Sequence, residues 1–269
     1  MKCLLVADLH YSLKQLDWLL EAATGMDLVI VAGDHLDIAA HVNGPVQIAV
    51  VNKYFRRLAS RSKTVVCSGN HDLDATNEAG EKYARWLQSV RSMGIATDGD
   101  TFLLNDMLFT VCPWWDGPKT REAVDRQLAK DSGQRTGRRW IWIYHSPPQA
   151  SPTSQSGARD FGDADLSGWI ATHAPDMVLA GHIHDAPFRD GGSWVDQIGS
   201  TWVFNGGRQM GPQPTCIVFD LHEGWAHWMS LERAETVRLD APLTRPVPSL
   251  VDVPEWLISL GQAPDSSPA

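Results

Sequence analysis

The chain has no apolar run near the roughly 20 residues that a bilayer core requires. Its amino terminus opens directly on a β-prone segment, with no apolar leader or small-residue cleavage site. A membrane partner is therefore not expected. Cysteine is scarce, at four residues. Cys3, Cys67, Cys112 and Cys216 each lie in an apolar, strand-like segment, where a thiol packs as a small hydrophobe. That excludes a disulfide scaffold and fits a reducing cytoplasm. Positive charge is also in deficit, with 23 Lys and Arg against 32 Asp and Glu and a net charge of −9. Non-specific binding to a nucleic-acid backbone needs a cationic surface. Long duplex nucleic acid is thus not an expected partner. No internal repeat and no coiled-coil arm is evident.

Five short polar clusters each follow an apolar run of strand length: Asp8-Leu9-His10, Gly33-Asp34-His35-Leu36-Asp37, Gly69-Asn70-His71-Asp72, His145, and Gly181-His182-Ile183-His184. The preceding runs, 3–7, 28–32, 64–67, 140–144 and 177–180, are nearly continuous in Val, Ile, Leu or Trp, as expected of strands buried on both faces. Open α/β sheets gather their chemistry at the carboxyl ends of strands, so five clusters in that position should converge in space. Asp and neutral His offer oxygen and nitrogen donors, Asn70 adds a carbonyl oxygen, and no thiolate occurs in any cluster. A Cys-type structural zinc site is excluded. The donor mixture suits Mn, Fe, Zn, Co or Ni better than a magnesium site that keeps most of its waters. If these segments are extended, residues i and i+2 share a side, which would pair Asp8 with His10 and His182 with His184. Glycine ahead of three clusters allows sharp turns toward an ion.

The order D-x-H, GD-x-x-D, GNH-D, H and GH-x-H over roughly residues 1–220 resembles the calcineurin-like metallophosphoesterases. The resemblance implies an α/β fold, a four-layer αββα sandwich of two mixed β-sheets flanked by helices. It implies two divalent or mixed-valence transition metal ions. Asp8, His10 and His184 would hold one, Asn70, His145 and His182 the other, and Asp34 would bridge them. His71 would stand near the scissile phosphate without ligating metal. The implied activity is hydrolysis of a P–O bond in a small or medium phosphomonoester or phosphodiester, with a metal-bridging hydroxide as nucleophile. His71, held by Asp72 or by backbone, would act as general acid or charge stabiliser. Asp37 is placed to accept the free N–H of a ligating histidine. The alternatives are a catalytically silent metal-binding scaffold and a nuclease acting on nucleic-acid ends. The first would normally leave gaps in the ligand set, and the second predicts a basic groove.

Other residues carry weaker signals. His35 reads as a loop residue inside the second cluster, and His41, His173, His222 and His227 lack motif context. Trp114 and Trp115 follow an apolar run at the same edge as the clusters, and either could stack on an aromatic leaving group. Asn205-Gly206-Gly207-Arg208 also follows a strand; Arg208 could contact a phosphate, although a surface arginine on a glycine turn is the plainer reading. Arg135, Arg138 and Arg139 read as a solvated basic loop.

Helical spacing marks 12–23, opened by Ser12 with Gln15 three residues on, and also 46–59 and 78–93, the last closed by Gly94. Strand–helix–strand order over the first seventy residues predicts βαβ units, and the strand-rich second half predicts a second sheet with fewer helices. The stretch 146–168 shows no periodicity and reads as a long loop that could wall a pocket. A catalytic domain over 1–234 and a Pro-punctuated tail over 235–269 complete the outline. A short helix signal at 254–260 carries Trp256, Leu257 and Leu260, which could dock on the domain or on a partner.

Overall fold

Hydrophobic runs whose successive side chains point to opposite faces build the core of the computed structural model, which describes residues 1–262. The strands are β1 (Lys2–Val6), β2 (Leu28–Ala32), β3 (Lys63–Cys67), β4 (Ala75–Thr76), β5 (Lys82–Tyr83), β6 (Thr101–Leu104), β7 (Met107–Val111) and β8 (Trp140–Ile143). They continue with β9 (Gln155–Ser156), β10 (Arg159–Asp160), β11 (Met177–Ala180), β12 (Val195–Ile198), β13 (Thr201–Asn205), β14 (Cys216–Asp220), β15 (Trp225–Met229) and β16 (Ala234–Arg238). The helices are α1 (Leu13–Ala22), α2 (Gly44–Ala59), α3 (Pro118–Ser132), α4 (Ala164–His173) and α5 (Glu255–Ile258).

Two six-stranded mixed sheets result, ordered β16-β15-β14-β1-β2-β3 and β12-β13-β11-β8-β7-β6. Strands β1, β2 and β3 run parallel, as do β7, β8, β11 and β13. Leu4, Val6, Val29, Val31 and Val66 turn toward α1 and α2, meeting Leu16, Leu19, Leu20, Val51 and Phe55. The alternate residues Cys3, Leu5, Leu28, Ile30 and Val65 meet Phe109, Ile141, Ile143, Leu179 and Phe204 of the second sheet. Trp140, Trp142, Val178 and Val203 face outward onto Val124 and Leu128 of α3 and Trp169 and Ile170 of α4. The strands are continuous in apolar residues because both faces are covered. The order helix, sheet, sheet, helix is the expected four-layer α/β sandwich.

Several local expectations are corrected. Residues 78–93 do not form one helix: β4 and β5 make a small hairpin, and only Trp86–Met93 turns, as a 3-10 segment. Glu81 is drawn out of helical geometry because its carboxylate accepts the N–H groups of Lys119 and Thr120 at the start of α3 (2.8 and 2.7 Å). Ser12 caps α1 in position only, without a side-chain bond, and Gln15 donates to the carbonyls of Gln209 and Gly211 across the domain. Helices α3 and α4 are additional to those that the helical spacing predicts. The 146–168 stretch holds a 3-10 turn, the β9–β10 hairpin and the start of α4, capped by Asp163. Arg135 is not a solvated loop residue, since it pairs with Asp176 (3.0 Å) and donates to the carbonyls ending α4. The boundary placed at 234/235 falls inside the β15–β16 ladder. Leu257 and Leu260 then bury themselves in the α1–α2 layer, and Lys2 lies over the Trp256 ring at 4.2 Å. Residues 263–269 of the expected tail lie outside the described residues.

Candidate metal centre

Five of the parallel strands end at one place. Asp8 and His10 follow β1, Asp34 follows β2, Asn70 and His71 follow β3, His145 follows β8, and His182 and His184 follow β11. Donor atoms of Asp8, His10, Asp34 and His184 lie within 4.8 Å of one another, and so do those of Asp34, His145 and His182. Asp34 belongs to both groups. His10 Nε2 and His184 Nε2 face each other at 3.1 Å, His184 Nε2 is 3.3 Å from Asp8 Oδ1, and His145 Nε2 is 3.3 Å from Asp34 Oδ2. Donors that each sit about 2.1 Å from a shared ion are separated by roughly 3–3.5 Å, so these spacings suit a cation.

The polar bookkeeping points the same way. Each carboxylate has one oxygen tied to backbone, Asp8 Oδ2 by the N–H of His182 and Asp34 Oδ1 by the N–H of His71, both at 2.9 Å. His145 donates Nδ1–H to the Ala32 carbonyl at 2.6 Å, which leaves Nε2 for the centre. Asp8 Oδ1, Asn70 Oδ1 and His145 Nε2 are buried without any hydrogen-bond partner. Buried polar atoms are rarely orphaned; Asp8 Oδ1 and His145 Nε2 lie 3.8 Å apart, and unpartnered donors at the ends of these strands fit a metal pair that they would ligate.

Burial sets the electrostatics and charge then corrects it. It holds His10 and His182 down at about 4, so both imidazoles are neutral and ready to ligate. Burial acts against the ionised forms of Asp8 and Asp34 too, yet the neighbouring histidines keep both carboxyls below their usual range. At His145 burial is outweighed by the Asp34 and Asp8 carboxylates, which push it up to about 9. The same attraction that raises His145 would hold a cation.

The backbone differs from the extended geometry expected from sequence. Asp8, His10, Asp34 and His182 all have positive φ (56, 42, 52 and 69°), four of the nine such non-glycine residues described. Left-handed turns, not strand alternation, aim these donors, and such strain gathers at functional sites. Of the glycines, Gly33 supplies a turn (φ +86°). Gly69 and Gly181 instead supply space, since a Cβ would fall 2.2 Å from Asp34 Oδ1 and 2.6 Å from Asp8 Oδ2.

Two supporting roles need correction. Asp72 does not hold the His71 ring; fully buried, it accepts the N–H groups of His35, Leu36 and Gly69 and so shapes the loops. The side chain of Asp37 accepts the Ala39 N–H (2.8 Å) instead of a histidine N–H, although it lies within 4.8 Å of the His10 and His71 donors. His35 is a core residue edge-on to Phe55 and Trp86. His173 packs on Trp140 and Trp142, His227 stacks on Trp225, and His41 and His222 are exposed. Trp115 is structural, bonded to Asp163. Trp114, by contrast, stands against His145 and His182, with ring centroids at 5.7 and 5.2 Å. It follows β7 and Arg208 follows β13, two further members of the parallel set. Trp114 thus stands at the edge expected of it from sequence, and Arg208 follows a strand as expected. Ser156 bonds to Asp185, one residue past His184, so the 146–168 stretch borders the centre (2.9 Å).

No curated protein matches the chain by sequence. Solved structures share its fold at low identity. A Thermus thermophilus protein, TT1561, superposes with a TM-score of 0.57 at 17% identity, covering 88% of this chain and 98% of its own. A dimetal phosphatase from Danio rerio gives 0.53 at 10%, covering 89% and 99%. A purple acid phosphatase from yellow lupin seeds gives 0.51 at 13%, covering 93% of this chain and 53% of that one. The profile of the calcineurin-like phosphoesterases matches residues 1–186, which include all the candidate ligands. With a match over more than half its length, the chain belongs to the calcineurin-like phosphoesterase family.

Proposed function

We propose that the protein is a binuclear metal-dependent phosphoesterase, a hydrolase that cleaves the P–O bond of a small or medium phosphomonoester or phosphodiester. The observation that carries this reading is the placement of Asp34, whose Oδ2 faces His10 at 3.7 Å on one side and His145 at 3.3 Å on the other. Asp8, His10 and His184 would hold one ion and Asn70, His145 and His182 the second. The donor set favours Mn, Fe, Zn, Co or Ni. When bound, such a pair supplies a nucleophile from water near neutral pH and neutralises phosphoryl charge.

The chain's own groups do the rest. The carboxylates of Asp8 and Asp34 are fixed by backbone N–H groups before any ligand arrives, so little reorganisation is required. His71 and His184 form the open side, with side chains 21% and 39% exposed, while His145 is wholly buried. Substrate therefore enters past His71. Its ring Nε2 stands 3.9 Å from Asp34 Oδ2, within reach of an oxygen that leaves the centre. There it protonates the leaving group or holds its developing charge. The net charge of −9 disfavours long duplex substrates. No helix described is long and apolar enough to cross a membrane. Four buried unpaired thiols support a reducing compartment, the cytoplasm.

The decisive experiment restores Mn, Fe, Zn, Co or Ni to metal-stripped protein. Hydrolysis is then measured on p-nitrophenyl phosphate, its bis ester and cyclic nucleotides. Turnover dependent on two ions per chain is expected; no turnover under any metal would refute the reading.

A further inference from the structure

Arg208 stands three residues past β13, on the turn that packs against the His182–His184 segment. Its buried Nε has no hydrogen-bond partner. Among the described residues it joins no ion pair, whereas Arg135 and Arg233 are matched with Asp176 and Glu235.

The turn that carries it is held tightly against the His182–His184 segment. Asn205, fully buried at the end of β13, donates to the carbonyls of Thr153 (2.8 Å) and Ile183 (3.0 Å), and its Oδ1 accepts the Gly207 N–H (2.9 Å). Trp228 Nε1 donates to the Gly206 carbonyl at 2.8 Å, and Thr215 Oγ1 to that of Gly207 at 2.6 Å. The N–H of Arg208 itself donates to the His184 carbonyl at 2.8 Å. At Gly207, whose φ is +67°, a Cβ would lie 2.7 Å from Pro187 and 2.8 Å from the His184 carbonyl, so only glycine permits this approach. This holds Arg208 beside His184, whose donor atom is grouped with those of Asp8, His10 and Asp34.

A fixed cation next to a site built for cations is unfavourable by Coulomb's law. An anion lying between them offsets that cost. Resting on the phosphoesterase reading, the chemistry of that anion can be narrowed. A diester presents two non-bridging oxygens, and two metal ions match two. A monoester dianion presents a third, and the planar fork of arginine is the group suited to take it. We infer that Arg208 receives the third non-bridging oxygen of a phosphomonoester and makes monoesters the preferred substrate class.

The test compares the full chain, Arg208→Ala and Arg208→Lys, each loaded with Mn²⁺, on p-nitrophenyl phosphate and bis-p-nitrophenyl phosphate. Orthophosphate affinity is measured alongside by calorimetry. The backbone contacts of Arg208 do not involve its side chain, and thermal melts check that both variants fold. Arg208→Ala should lower kcat/KM on the monoester by about 10- to 150-fold and weaken orthophosphate by a similar factor. The diester rate should change by less than about threefold, with the lysine variant intermediate on the monoester. Equal losses on both esters, or an unchanged monoester rate, would overturn the assignment. If the parent chain cut neither ester, the phosphoesterase reading would fall, and orthophosphate binding would still decide Arg208: unaltered affinity in the alanine variant rejects it.

Discussion

His71 donates its backbone N–H to Asp34 Oδ1 at 2.9 Å, while its ring packs edge-on against His10 at 4.6 Å and leaves Nδ1 buried without a hydrogen-bond partner. The backbone bond fixes the Asp34 carboxylate and the ring does not. His71→Ala keeps the first and removes the second. Turnover should fall by about 10²- to 10⁴-fold with metal content per chain unchanged, as read by steady-state kinetics and elemental analysis.

Asp34 is the one carboxylate shared by both donor groups. Asp34→Asn preserves the bond from the His71 N–H but removes the charge between His10 and His145. Outer-shell changes cost metal sites about 10- to 100-fold in affinity, so loss of this ligand should exceed about 100-fold and leave at most one ion bound. Retention of two ions at parental affinity would contradict the shared role.

Space at Gly69 is as constrained as any donor. Its Cβ in Gly69→Ala would stand 2.6 Å from the backbone nitrogen of Asp34 as well as against its carboxylate. The chain must shift, at about 1–3 kcal/mol in urea unfolding, with weakened metal binding. Gly168→Ala is the contrast: nothing lies within 4 Å of its Cβ inside α4, and a gain of about 0.4–1 kcal/mol is expected.

Asp98 sits behind the centre, where its Oδ1 accepts the Ser68 N–H at 2.8 Å. Burial foremost pushes its carboxyl up to about 7. The folded state then holds a proton that the unfolded chain releases above the ordinary value of 3.8, so the stability this group confers is present at low pH and lost as pH rises toward 7. Asp98→Asn keeps the acceptor without the titration. The difference in unfolding free energy between variant and parent should grow by on the order of 2–4 kcal/mol from pH 4 to pH 7.5.

Leu257, at 1% exposure, anchors the carboxyl-terminal helix into the α1–α2 layer. Leu257→Ala should cost about 2–4 kcal/mol, measured by denaturant midpoint at constant m-value. A change below about 0.5 kcal/mol would mean that the tail contributes nothing to the domain.

The chain announced its five clusters locally, because a strand long enough to be buried and a ligand one or two residues beyond it are both short-range patterns. Those patterns sufficed for the positions of Asp8, Asp34, His145 and His184 and for the two-sheet α/β class. Helix α3 escaped because its buried stripe is narrow, reaching the core through Val124 and Leu128 in a strongly polar segment. The 78–93 segment misled because Glu81 answers to the amino end of α3, a partner 38 residues away.

What the sequence by itself determined was which donor types are present and that each stands after a strand, since composition and periodicity are properties of neighbouring residues. Only the tertiary structure decided that left-handed turns aim them and that Asp72 braces loops instead of a ring. Those outcomes depend on which strands lie side by side, and strand neighbours are chosen by the packing of whole layers, which no local pattern encodes.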